Sequence, residues 1–103
     1  QVYLNNGELN GIRILSRTTI QFMMRNQIGD LLGDSGYGLA FELISQKGFD
    51  KGGKGSVGTF QWGGYFNTQY FADPKENVIG IILKQTQETT DDDTVWKFHQ
   101  LVN

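Results

Sequence analysis

The sequence contains no cysteine and only one histidine, His99. The first absence excludes a disulfide framework, a thiol nucleophile and thiolate metal sites. The second leaves no histidine pair for a metal, so a surface or packing role is the default for His99. Charge is sparse as well: 19% of residues are charged and the formal net charge is −2, which provides no electrostatic footprint for nucleic acid or an acidic membrane. No apolar run approaches the roughly 18 residues that a bilayer span requires; the longest, Val78 to Leu83, is the length of one strand. No cofactor or metal is implied by any of this.

Aromatic residues are plentiful, at 13% of 103 residues. A chain of this length is one domain with one core, and it buries roughly two-thirds of its unfolded surface without needing staples. High aromatic content under a thin charge cover predicts a filled core and some adhesive surface. The opening residues, Gln1 to Gly7, read as the last turn of a helix with a glycine stop. The chain is therefore expected to begin inside a structural element, as a C-terminal fragment would.

Ile12 to Leu15 is a short extended stretch and Ser16 a good helix cap. Ile20, Met23 and Met24 recur at helical spacing, which predicts a helix over 17–26. Gly29 to Gly36 is loop. Tyr37, Leu39, Phe41 and Leu43 alternate, which predicts a strand over 37–46, and the glycine-rich Lys47 to Gly58 predicts a flexible connection. Thr59 to Trp62 and Phe66 to Asp73 read as strands, with Gly63-Gly64 between them allowing close backbone approach. Asp73-Pro74-Lys75-Glu76-Asn77 is a tight turn with proline where a type I turn favours it. The apolar Val78 to Leu83 predicts a strand covered on both faces and central in its sheet. Asp91-Asp92-Asp93 introduces a last helix with Val95, Phe98, Leu101 and Val102 on its apolar side. The expected class is α+β: an antiparallel sheet of three to four strands, one helix before it and a C-terminal helix packed on it.

Several motifs suggest chemistry and fail on context. Gly48 to Lys54 spells the start of a phosphate-binding loop, but Gly55 follows where serine or threonine belongs, and a strand follows where a helix must open. The aspartate triplet lacks the spaced geometry of a calcium loop. Gly55-Ser56-Val57-Gly58 is a loose likeness of a nucleophile elbow only. Phe60, Trp62, Tyr65, Phe66, Tyr70 and Phe71 crowd around the bare Gly63-Gly64 backbone. This cluster reads equally as core packing or as the wall of a groove.

Gly58 to Gly64, followed by Tyr70 to Ile81, resembles the C-terminal end of the serine β-lactamase-like superfamily, which includes class C β-lactamases, penicillin-binding proteins, DD-peptidases and related serine esterases. Leu4 to Gly11 with Arg13 to Ser16, and Gly36 to Phe41, are similar to the preceding elements in the same order. The Trp-Gly-Gly at Trp62, Gly63 and Gly64 stands where β-lactamases carry Lys-Thr-Gly, as in esterase-like members. The resemblance implies a partial β-lactamase-like fold over 1–103. It also implies that Trp62, Gly63 and Gly64 form a cleft-lining, substrate-binding strand, and that the Tyr65 backbone N–H is one half of an oxyanion hole. No serine is followed three residues later by lysine, so the isolated chain is not expected to be active. The whole protein is expected to hydrolyse a small acyl substrate (a β-lactam, ester or peptide) in the bacterial periplasm or envelope, or as a secreted enzyme. Tyr3-Leu4-Asn5 and Tyr65-Phe66-Asn67 match the family's Tyr-x-Asn only in letters. Apolar surface left uncovered is expected to promote self-association. The alternative to a hydrolase segment is a stand-alone module that binds glycan or peptide along the Trp62 to Phe71 aromatic strip.

Overall fold

The computed structural model describes residues 1–52, 55–87 and 92–102. Gln1 to Gly7 forms a helical turn in which Asn5 N–H donates to the Gln1 carbonyl. Asn6 and Gly7 end it at φ +56° and +101°, left-handed values that asparagine and glycine tolerate best. A two-stranded hairpin follows, β1 (Glu8–Leu9) and β2 (Ile12–Arg13), joined by Asn10-Gly11, both at positive φ as a type I′ turn requires. Ser16 then caps α1 (Arg17–Met23), its hydroxyl accepting from Thr19 N–H at 3.1 Å.

The helix stops before the Asn26 end expected from periodicity. Backbone groups at its end are taken by the next segment: Leu39 N–H donates to Met23 O, and Gln27 N–H donates to Tyr37 O. The single strand expected over 37–46 is likewise two short ones, β3 (Ser35–Tyr37) and β4 (Glu42–Ile44), paired antiparallel. The chain reverses between them through Ala40 at φ +89°. A third correction concerns Lys47 to Gly58, where a five-residue helix, α2 (Gln46–Asp50), occupies what was expected to be flexible chain. Its cap, Ser45 Oγ, accepts from Gly48 N–H and donates to Asp34 O. Gly48 is thus helical and not the mouth of a phosphate loop; Gly53 and Lys54 of that motif lie outside the described residues.

The main sheet has five antiparallel strands in the order β3-β4-β5-β6-β7, with β5 (Phe60–Gly63), β6 (Gln69–Asp73) and β7 (Val78–Ile82). The class is α+β, with a larger sheet than the three to four strands expected. Strand alternation sends Phe60, Leu43 and Ala72 to one face, where with Phe41 they form the core under Tyr3, Leu4 and Met24. Tyr3 meets Phe41 edge-on at 4.8 Å, so Tyr3-Leu4-Asn5 serves packing. Phe71 points to the opposite face and is covered by α3 (Thr94–Val102). Its ring stacks on His99 at 3.7 Å and meets Phe98 at 6.1 Å. His99 is buried while Leu101 is 86% exposed, so the apolar side of α3 is rotated from the expected Val95, Phe98, Leu101 and Val102.

β7 is not central among the described residues; it is the outer strand, and Ile79, Ile81 and Leu83 are exposed on the face away from α3. Its apolar run presents a surface that the described residues do not cover. Asp92 caps α3, accepting from Thr94 N–H at 2.9 Å, and pairs with Lys84. The Lys84 ammonium holds its carboxyl well below the ordinary carboxylate range. Asp93 pairs with Lys97 at 2.8 Å, and Asp91 lies outside the described residues.

The turn after β6 is anchored by Asp73, which is fully buried. One carboxylate oxygen accepts from Lys75 and Glu76 N–H, the other from Ser56 N–H. Burial alone would raise its pKa, but these amide bonds and the Ser56 side chain outweigh it and hold the pKa below the ordinary value. Asp73→Ala is expected to cost about 2–4 kcal/mol in urea unfolding, since three amides lose a charged acceptor. Because the folded-state pKa is depressed, this contribution is complete above the ordinary carboxylate range and is lost as pH falls through the folded value. The stability gap between wild type and Asp73→Ala should therefore close in acid; a gap independent of pH would show that Asp73 is not ionised in the native state.

Candidate functional site

β5 pairs with β6 along its length, from Phe60↔Ala72 to Gly63↔Gln69. With β4 it pairs only at Glu42↔Gln61 and Leu43↔Phe60. From Trp62 onward, then, one edge of β5 carries no strand among the described residues. Side chains end there as well, since Gly63 and Gly64 present bare backbone. A Cβ on Gly64 would lie 2.4 Å from Thr68 Oγ1, and one on Gly63 would lie 3.3 Å from Gln69 Cγ.

The hairpin tip beyond β5 has defined geometry. Gly64 N–H donates to Thr68 O at 2.7 Å and Asn67 N–H to Gly64 O at 3.1 Å, with Asn67 at φ +66°. This is a three-residue loop of a turn followed by one left-handed residue. Such a loop leaves the amide of its first residue without a carbonyl to reach, and the Tyr65 N–H makes no hydrogen bond among the described residues. Tyr65, Phe66 and Asn67 thus form the tip itself. The tip is tied to the segment after β7: Thr86 N–H donates to Phe66 O at 3.1 Å, Asn67 Nδ2 donates to Thr86 O and Oγ1 at 3.2 and 3.0 Å, and Gln87 Nε2 donates to Tyr65 Oη.

Two concavities flank the Trp62-Gly63-Gly64 backbone. The first, about 390 Å³, is apolar and is lined by Trp62, Gly63, Gly64, Tyr70, Ile81 and Leu83, with Thr68 and Gln69. Burial, and secondarily the Tyr3 hydroxyl, pushes the Tyr70 phenol pKa up. The second, about 280 Å³, is polar and is lined by Tyr37, Glu42, Gln61, Trp62, Gly63 and Gln69. There the Glu42 carboxylate accepts from Tyr37 Oη at 3.2 Å and Gln61 Nε2 at 3.0 Å. The Glu42 charge raises the Tyr37 pKa, helped by burial and by that hydrogen bond. Tyr37 also meets Trp62 edge-on at 6.1 Å. Among the described residues, no lysine or arginine lines either concavity.

The aromatic cluster divides between its two readings. Phe60 and Phe71 are core, on opposite faces, while Trp62, Tyr65 and Phe66 are exposed. Trp62, Gly63, Gly64 and Tyr65 come together at one strand end. Tyr37, Glu42, Gln61, Thr86 and Gln87 were not legible as neighbours of that end. Glu42 and Gln61 meet only through strand register, and Thr86 and Gln87 only because β7 returns the chain to the tip. Among the described residues no group of three His, Cys, Asp or Glu side chains could hold a metal, and no helix is long and apolar enough to cross a membrane.

Residues 2–103 match the family described as Beta-lactamase. Protein Rv1367c of Mycobacterium tuberculosis (strain ATCC 25618 / H37Rv) and Uncharacterized protein MT1414 of Mycobacterium tuberculosis (strain CDC 1551 / Oshkosh) are each 28% identical over 98 residues, covering 82% of this chain and 24% of the relative. Among solved structures, EstCE1, a hydrolase with promiscuous acyltransferase activity, superposes with a TM-score of 0.75 at 22% identity, covering 96% of this chain and 26% of that one. The chain therefore spans about a quarter of the length of the proteins it matches.

Proposed function

The chain belongs to the beta-lactamase family, and on that premise we propose that it is the C-terminal portion of a serine hydrolase, in which β5 lines the cleft and the Tyr65 N–H is one donor of the oxyanion hole. The observation that carries this reading is the strand end itself. Among the described residues, the edge of β5 beyond Gln61 is open, Gly63 and Gly64 remove side chains from the approach, and the next amide makes no hydrogen bond. Fixed N–H donors lower the barrier to acyl transfer because the tetrahedral intermediate develops negative charge on the former carbonyl oxygen. The nucleophilic serine, its base and the second amide would come from the rest of the protein. Given the family, an exported or envelope location is part of the same proposal.

The environment favours neutral acyl substrates over anionic ones. Trp62 stands where β-lactamases have a lysine, and among the described residues the only charged one lining the two concavities is Glu42. A carboxylate entering there would lose a charge-assisted bond, about 1.5–3 kcal/mol, and meet a like charge. In the full-length protein, a short-chain neutral ester should acylate a single serine, seen as an adduct in intact-protein mass spectrometry. Masking the carboxylate of a β-lactam as its methyl ester should raise kcat/KM about tenfold over the free acid, below the full ion-pair value because the site is half open to water. Faster turnover of the free acid would show that an undescribed cation serves the site. If glycan or peptide binds the Trp62, Tyr70, Ile81 and Leu83 concavity and no serine is ever acylated, the binding-module reading replaces this one.

A further inference from the structure

We infer that Asn67, Thr86 and Gln87 are positioning residues: the segment following β7 clamps the β5–β6 hairpin tip and so fixes the direction of the Tyr65 amide. The inference rests on the reading of that amide as an oxyanion donor. An amide contributes to catalysis in proportion to how well its direction is set before charge develops, since reorientation during the reaction returns part of the gain. Exposed hairpin tips are among the least constrained parts of a fold; within this one, backbone hydrogen bonds run from Gly64 to Thr68 and from Asn67 to Gly64.

The additional constraint comes from elsewhere in the sequence. Each of the three loop residues has its own tie to the 86–87 segment: Tyr65 through its phenol oxygen to Gln87, Phe66 through its carbonyl to Thr86 N–H, and Asn67 through its amide to Thr86 O and Oγ1. Asparagine at position 67 does two things at once. It accepts the left-handed φ of +66° that closes the loop, and its side chain reaches Thr86. Glycine would serve the first purpose and not the second. The clamp is itself anchored, because Lys84, two residues before Thr86, pairs with Asp92 at the start of α3 in a partly buried ion pair. The tip is thereby tied through Thr86 and Lys84 to the helix that covers the opposite face of the sheet.

The test uses the full-length protein, with ester turnover and hydrogen exchange as paired readouts. Asn67→Gly keeps the loop conformation and deletes the amide, and Thr86→Val keeps shape and backbone while deleting the hydroxyl. Asn67→Gly is expected to lower kcat about tenfold with KM within twofold, less than the hundredfold or more expected for outright loss of a donor. Thr86→Val should lower kcat severalfold and Thr86→Ser should restore it. The Asn67→Gly/Thr86→Val double variant should be little worse than Asn67→Gly alone, because both delete the same contact. In Asn67→Gly, amides of residues 65–67 should exchange about tenfold faster while β6 amides keep their protection. Unchanged kcat in Asn67→Gly overturns the inference and leaves the hydrolase reading intact. So does a loss that tracks lowered protection throughout β6, which would mark a general stability effect. A wild-type protein that forms no acyl-serine overturns the hydrolase reading and the positioning role with it.

Discussion

Gly64→Val in the full-length protein is expected to reduce kcat/KM for an ester by a hundredfold or more, the loss typical of removing one oxyanion donor, about 3–4 kcal/mol. The argument starts from space. Even a bare Cβ at this position would sit 2.4 Å from Thr68 Oγ1, so the branched side chain must push Thr68 away or rotate the peptide that carries the next N–H. Gly64 N–H is bonded to Thr68 O at 2.7 Å, and the same displacement strains that bond, which closes the tip. The Tyr65 amide then points away from where the oxyanion forms, while the remaining γ-methyl groups intrude on the 390 Å³ apolar concavity. Gly64→Ala separates the two effects, because its lone methyl fits if Thr68 is shortened. Turnover lost in Gly64→Ala should return in Gly64→Ala/Thr68→Ala, whereas Thr68→Ala should not rescue Gly64→Val. If Gly64→Val retains turnover within threefold of wild type, Tyr65 is not an oxyanion donor.

The second large effect concerns stability. Phe71→Ala is expected to cost about 3–5 kcal/mol, the range for deleting a buried phenylalanine. Its ring is 4% exposed and lies between the Gly80 backbone and the stacked His99 ring, with Phe98 at its edge. Gly80 sits directly opposite Phe71 across the β6–β7 ladder, and a Cβ there would come within 2.2 Å of Cε1 and 2.4 Å of Cζ. Glycine is required under the ring, and Gly80→Val should destabilise by an amount comparable to Phe71→Ala, because it expels the ring from its slot and loosens α3. The two should not add: with the ring gone, valine occupies part of the vacated space, so the double variant should be more stable than the sum of the single losses implies. Urea unfolding of the four proteins measures this directly, and strict additivity would show that Phe71 and Gly80 do not share the slot.

What was readable along the chain was what depends on neighbours in sequence. Ser16 as a helix cap, Asp73-Pro74 as a tight turn and the strand character of β5, β6 and β7 follow from side-chain capping, a fixed proline φ and alternation. The reversal at Ala40 was not readable, because the apolar spacing of Tyr37, Leu39, Phe41 and Leu43 looks like one strand, although only Tyr37 and Leu43 lie in strands and they face opposite sides of the sheet. Alternation reports which face a residue takes, not whether the chain turns back. The early end of α1 was hidden for a related reason: Met23 O and Tyr37 O are claimed by Leu39 and Gln27, a competition that helical periodicity does not register. Helix α2 passed as a flexible stretch because its glycine content outweighed the Ser45 cap, whose second bond to Asp34 O exists only in three dimensions.

The sequence by itself determined the family, the α+β class and the location of the bare-backbone motif at Gly63-Gly64, because ordered short motifs and local periodicities are properties of consecutive residues. Tertiary structure alone decided which aromatics are core and which line a concavity, that β7 is an outer strand among the described residues, and that Thr86 and Gln87 meet the Tyr65 tip. Those outcomes depend on strand order and register, which bring residues some twenty positions apart to within hydrogen-bonding distance. A one-residue change in register would turn each of those side chains to the other face without altering a letter of the sequence.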